Sequence, residues 1–237
     1  MTSIAIVVSG SFQYCSSAGS ELMTAGSLLL GNAGDCFCCR HEHGSGDRCI
    51  AFFYDAELFE GAGFGPSAAG ARFRVPRLPP SRALAPMVAK ALALQAGDPG
   101  INGEELGMEL AAKAIEVAGN TKSSSSTRTE PSALARVSRV VRMIDNEPGV
   151  RRGLGGLAEF ARLSPYHFLR TFEALTGTTP HQYLMRLRLR RAALRLRTER
   201  SRILDISLDC GFGDVSNFNR AFRAEFGVSP RAYRRAR

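Results

Sequence analysis

The feature that most constrains this chain is an internal repeat near its carboxy-terminal end. Residues Phe168–Tyr183 (FLRTFEALTGTTPHQY) align without a gap with Phe218–Tyr233 (FNRAFRAEFGVSPRAY), fifty residues further on. Both copies obey F-x-R-x-F-x4-G-x2-P-x2-Y. A phenylalanine pair at i and i+4 falls on one face of a helix, so it packs inward while the arginine between is turned to solvent. Gly177 and Gly227 suit the left-handed residue that ends a helix. Thr179-Pro180 and Ser229-Pro230 have the form of an N-cap followed by proline at the first helical position.

Upstream of each copy stands a short apolar helix and a turn. In the first, LAEFARLSPYHF places Leu157, Ala158 and Ala161 on a supporting helix, and Ser164-Pro165 opens the next one. In the second, ILDISLDCGFGDVSNF places Ile203, Ile206 and Leu208 on the supporting helix, with Gly211 at the turn and Asp214 as N-cap. A short helix, a tight turn and a second helix with one buried and one basic face make a helix-turn-helix pattern. The segment between the units, PHQYLMRLRLRRAALRLR, is expected to form one helix. Tyr183, Leu184, Leu187, Leu194 and Leu196 would face the units, and Arg186, Arg188, Arg190, Arg191, Arg195 and Arg197 would leave a basic surface. Such a helix spans roughly 27 Å, close to the roughly 34 Å between successive major-groove faces on one side of DNA.

Charge divides the chain at the same place as composition. Residues 1–118 carry 8 Lys and Arg against 12 Asp and Glu, net −4, whereas residues 131–237 carry 21 against 9, net +12. Between them, residues 119–131 are polar and Ser/Thr-rich, the composition of a flexible linker. An acidic half joined to a basic half points to one part that meets a polyanion and another that does not.

The expected architecture is therefore α+β with two domains: residues 1–118, the linker, and an all-α double helix-turn-helix domain over residues 132–237. In the first domain, IAIVV, SLLLG and CIAFFY read as short strands of a small β-sheet or partial barrel. Ala83–Gln95 and Glu104–Val117 read as an antiparallel helical hairpin, which either caps the sheet or makes a dimer contact. Cys36, Cys39, His41 and His43 have spacings that zinc or a related soft divalent metal could use. The alternative is that the cysteines fill a strand face and the histidines hydrogen-bond in a turn. No P-loop, dinucleotide fingerprint or nucleophile elbow is present, so a binding protein and not an enzyme is expected. Six cysteines without a regular framework fit a reducing compartment, and no apolar run is long enough to span a membrane, so the cytoplasm is the expected location.

SPYHFLRTFEALTGTTPHQYLMRLRLRRA and ISLDCGFGDVSNFNRAFRAEFGVSPRAYRR strongly resemble the carboxy-terminal domain of AraC/XylS-type transcriptional regulators. The resemblance covers roughly Ser132 to Arg235. It implies a seven-helix domain in which two units, joined by a long helix, read double-stranded DNA. The family's base-reading positions fall on Tyr166, Leu169 and Arg170 in the first unit and on Val215, Ser216, Asn219 and Arg220 in the second. Arg188 and Arg191 on the connecting helix are expected to meet phosphates. Arginine can pair with guanine and asparagine with adenine in the major groove. Leu169 departs from the polar residue usual at its position, and Gly155-Gly156 would fray the start of the first supporting helix.

The resemblance also implies an effector-binding or dimerising β-domain in front, often cupin-like, and favours activation through contact with RNA polymerase. Its partners would then include a second copy of the chain and a small-molecule effector, and the basic half would fold and bind DNA alone. Two other readings stay open: a DNA-repair methyl acceptor with zinc-bound reactive cysteines, and a nucleoid-type protein that binds DNA without choosing sequence.

Overall fold

The computed structural model describes residues 1–16, 19–41, 46–55, 72–121, 130–149 and 153–236. Among these residues seven strands lie in two antiparallel sheets. The four-stranded sheet has the order β6 (Arg48–Tyr54), β1 (Thr2–Ser9), β4 (Leu28–Gly31), β7 (Arg77–Leu78). The three-stranded sheet has the order β3 (Gly19–Thr24), β2 (Ser11–Ser16), β5 (Phe37–Arg40). The apolar run in β1 is continuous because both its faces are covered. Ile4, Ile6 and Val8 face the helical hairpin, while Val7 faces Phe12, Tyr14 and Met23 of the other sheet.

The hairpin consists of α1 (Ala85–Gln95) and α2 (Gly103–Asn120). Asn102 caps α2 by accepting from the backbone N–H groups of Glu104 and Glu105, and those two acidic residues favour the positive end of the helix. Leu84, Val88, Ala91, Leu106, Leu110 and Ala114 cover the four-stranded sheet, so the hairpin does cap it. Its second contact was not legible in the sequence. Ala85 and Ala89, on another face of α1, enter the core of the carboxy-terminal half.

That half holds seven helices among the described residues: α3 (Pro131–Asn146), α4 (Leu154–Phe160), α5 (Pro165–Thr176), α6 (Pro180–Thr198), α7 (Ile203–Asp209), α8 (Val215–Phe226) and α9 (Pro230–Arg235). The two glycines of the repeat adopt φ of +74° and +78° and end α5 and α8. Thr179 and Gln182 form a reciprocal capping box at the start of α6, with both bonds at 3.3 Å. Each unit has its own core. Phe168 and Phe172 pack with Val137, Val141, Leu157 and Tyr183, whereas Phe218 and Phe222 pack with Leu196, Ile206 and Phe212. Leu208, placed by the sequence on the supporting helix α7, is 49% exposed there, and Phe212 joins the apolar core beside Ile206.

The two halves pack against each other. Leu22 of β3 lies in the core of the first unit, and α1 lies along α6. Between them, most of residues 119–131 fall outside the described part of the chain.

Candidate nucleic-acid interface

Helices α5 and α8 are built alike. Ser164 and Asp214 cap them by accepting from the backbone N–H three residues on, Asp214 at 2.7 Å. With the phenylalanine pairs turned inward, the opposite faces are left to solvent. On α5 these are Tyr166, which is 70% exposed, and Arg170, with Leu169 half-buried beside them. On α8 they are Ser216, Asn219 and Arg220, with Val215 half-buried at the first position. The residues expected to read bases are thus gathered on two outward faces at equivalent places in the repeat.

The two arginines are held differently. Arg170 Nη1 donates to the Tyr166 hydroxyl at 3.1 Å, and its guanidinium carbon lies 5.8 Å from the centre of that ring. Arg220 Nη2 donates to Asn217 Oδ1 at 3.2 Å. Asn217 was not among the residues singled out from the sequence; its i, i+3 spacing from Arg220 was the available signal. Both arrangements stiffen a long side chain before it meets a partner, which lowers the entropy lost on binding.

The connecting helix corrects an expectation. Arg188 is buried, with its Nε donating to the Pro148 carbonyl at 2.7 Å and its Nη1 to the Gly211 carbonyl at 3.0 Å. It ties the end of α3 to the turn of the second unit and is not placed to meet phosphate. Arg190 is buried beside Tyr183 and Asp145 and packs against Gly26 of the β-domain. Arg197 is buried in an ion pair with Asp98, Nε to Oδ2 at 2.5 Å. Arg186 reaches the Pro80 carbonyl and Glu225, and Arg195 is paired with Glu199 and Asp209. Arg191 is exposed, and its Nη2 donates to the Asp145 carbonyl at 2.9 Å. The basic surface expected here is largely an interior one, because the hairpin and the β-domain cover the helix.

Asp145 lies among these arginines. Its Oδ1 accepts from the Tyr183 hydroxyl at 2.8 Å, while its Oδ2 is shielded from solvent. Burial raises its pKa to about 6, against the opposing effects of the Tyr183 hydrogen bond and of Arg190 and Arg191.

Among the described residues no three metal-binding side chains form a group, and His43 lies outside the described part. Cys36 precedes β5, Cys39 lies within it, and His41 Nδ1 is 2.7 Å from Asp47 Oδ1.

Residues 157–236 match the family model of a helix-turn-helix domain. Over 83 residues the chain is 36% identical to the HTH-type transcriptional regulator Rv1931c of Mycobacterium tuberculosis, covering 35% of this chain and 32% of that protein. Over 81 residues it is 42% identical to the HTH-type transcriptional activator RhaS of Escherichia coli, covering 34% and 29%. Among solved structures, the DNA-binding domain of AdpA in complex with a target DNA shares 31% identity over 43% of this chain and 91% of that chain, with a TM-score of 0.41. The carboxy-terminal region of this protein is a helix-turn-helix DNA-binding domain. It is a domain of the AraC type, with two units in one chain. The matched stretch spans about a third of the length of these curated relatives.

Proposed function

We propose that the protein is a sequence-specific transcriptional regulator whose helices α5 and α8 enter successive major grooves. The observation that carries this reading is the pair of equivalent outward faces, Tyr166 with Arg170 and Ser216 with Asn219 and Arg220, each backed by a buried phenylalanine pair. Exposed arginine and asparagine are the side chains that make paired hydrogen bonds to guanine and adenine. A basic surface alone would serve a sequence-indifferent binder equally well. Two reading faces of different composition on rigid helices favour choice of sequence.

One chain then covers about 20 bp with two subsites roughly 10 bp apart. The site is asymmetric because the two faces differ. Binding selection from randomised DNA tests this for the wild type and for Arg170→Ala and Arg220→Ala. The expected result is an asymmetric site of two parts, with each variant losing preference in a different part. A wild-type selection that enriches no sequence would overturn the reading in favour of a nucleoid-type binder. In its finer form the proposal includes activation by contact with RNA polymerase, in line with the relative named as an activator. In vitro transcription from the selected site measures it, and lower output on adding the protein would point to repression.

A further inference from the structure

The register of the three-stranded sheet places two thiols directly opposite each other. Cys15 on β2 pairs with Cys38 on β5 in the antiparallel ladder. Opposed residues in such a ladder share a face, with Cα atoms about 4.5 or 5.5 Å apart. Both separations lie inside the roughly 4.4–6.8 Å that a disulfide spans. Cys38 is exposed and Cys15 half-buried, and Cys15 Sγ lies 3.7 Å from Ser20 Oγ on the opposite neighbouring strand. The next pair along, Tyr14 and Cys39, points the other way, into the core between the sheets. Burial raises the Cys39 thiol above its ordinary pKa and pushes Cys49 up to about 11. Those two thiols stay protonated and are poor nucleophiles.

The face that bears Cys15 and Cys38 is also the face that docks on the first helix-turn-helix unit. Gln13, two residues before Cys15 and therefore on the same side of β2, is opposite Leu22 of β3. Leu22 enters the core of the first unit beside residues of α3, α4 and α5. The thiol pair is thus one step along the ladder from the side chain that joins the sheet to a DNA-reading unit.

We propose that Cys15 and Cys38 are a reversible disulfide site, closed by low-molecular-weight disulfides such as oxidised glutathione, and that its closure is transmitted through Leu22 to the first unit. The Cys38 thiolate attacks one sulfur of glutathione disulfide, forms a mixed disulfide and expels one glutathione thiolate. The Cys15 thiolate then attacks the Cys38 sulfur and expels the second. Two protein thiols are oxidised to one disulfide, the oxidant is reduced to two glutathione molecules, and the two thiol protons end on the leaving sulfurs. Bridging draws opposed Cβ atoms from about 5 Å toward about 3.8 Å, which alters the local twist of the strands next to Leu22.

The test uses the full chain and needs no DNA, so it stands apart from the choice of binding site. Protein treated with oxidised glutathione is mapped by differential alkylation and peptide mass spectrometry. Hydrogen exchange is followed over Val137–Ile144, the part of α3 that shares a core with Leu22. The expected result is a Cys15–Cys38 peptide, reversed by dithiothreitol, with a change of at least threefold in exchange over that segment. Cys38→Ser, a substitution at an exposed position, should abolish both effects, whereas Cys36→Ser and Cys49→Ser should keep them. A bridge between other cysteines, or none, would overturn the site. A Cys15–Cys38 bridge that leaves Val137–Ile144 exchange unchanged would overturn the transmission.

Discussion

The two helix-turn-helix units share one sequence pattern and one local fold, yet they are fastened to the rest of the molecule in unlike ways. The first receives Leu22 from the edge of a β-sheet, and Pro79 lies against its Gly177. The second rests on Ala85 and Ala89 of a helix and is flanked by ionic contacts, Arg186 with Glu225 and Arg197 with Asp98. Their outward arginines differ in the same spirit, one bonded to a tyrosine and the other to an asparagine. A repeat therefore dictates what is local, namely caps, turns and inward faces. It does not dictate the surroundings, which come from whatever chain packs against each copy.

The largest expected effect concerns the second unit's attachment. Arg197→Ala removes the ionic partner of buried Asp98, which keeps its bond from the Gly100 N–H, and breaking a buried ion pair this way costs about 3–5 kcal/mol. Chemical denaturation measures it. The double replacement Arg197→Met with Asp98→Leu should recover most of the loss, because the uncompensated charge is gone. A loss under about 1 kcal/mol for the single variant would mean that the pair is already solvated. A fragment starting at Ser132 also loses Asp98, so it should be markedly less stable than the same region in the full chain.

Next in size is the seam between the β-domain and α6. Gly26 has a φ of +90°, and a Cβ there would run into the guanidinium of Arg190. Gly26→Ala combines backbone strain with expulsion of a buried arginine and should destabilise the chain by about 2 kcal/mol. Thermal unfolding would reveal it, and an unchanged midpoint would show that Arg190 can leave freely.

The reading faces come third. Arg170→Ala and Arg220→Ala should each weaken binding to the selected DNA by about 1–3 kcal/mol, at different subsites. The comparison becomes sharper if the first is the smaller, because half-buried Leu169 offers only apolar contact beside Arg170. Arg188→Ala, by contrast, should reduce stability and leave the salt dependence of binding unchanged, since its guanidinium is committed to two carbonyls.

The smallest effect is one of pH. The Asp145 carboxyl is held up to about 6 in the folded protein, against about 3.9 in an unfolded chain. The native state therefore binds this proton more tightly, and its contribution to stability fades as pH rises from about 4 to about 6. Asp145→Asn should be more stable than the wild type at pH 7 by a few degrees in Tm, and the advantage should shrink toward pH 4. An advantage that grows on acidification would show the carboxylate to be stabilised in its charged form.

The amino-acid sequence by itself determined the double unit, its caps at Ser164, Thr179, Asp214 and Ser229, its inward phenylalanines and the residues of its outward faces. All of these follow from interactions within a few residues along a helix, where spacing translates directly into direction. It also marked the strands and the hairpin, whose apolar periodicities are equally local. Tertiary structure alone decided which arginines of α6 face water. An arginine-rich helix reads as a basic surface until an acidic partner arrives from far along the chain. Asp98 lies 99 residues from Arg197 and Pro80 lies 106 from Arg186. The cysteines show the same limit: the spacing of Cys36, Cys39, His41 and His43 left a metal site and packing on a strand face both open, and it was strand register that brought Cys15 opposite Cys38. Pairing between strands depends on how turns and sheets close in space, and no short-range pattern encodes it.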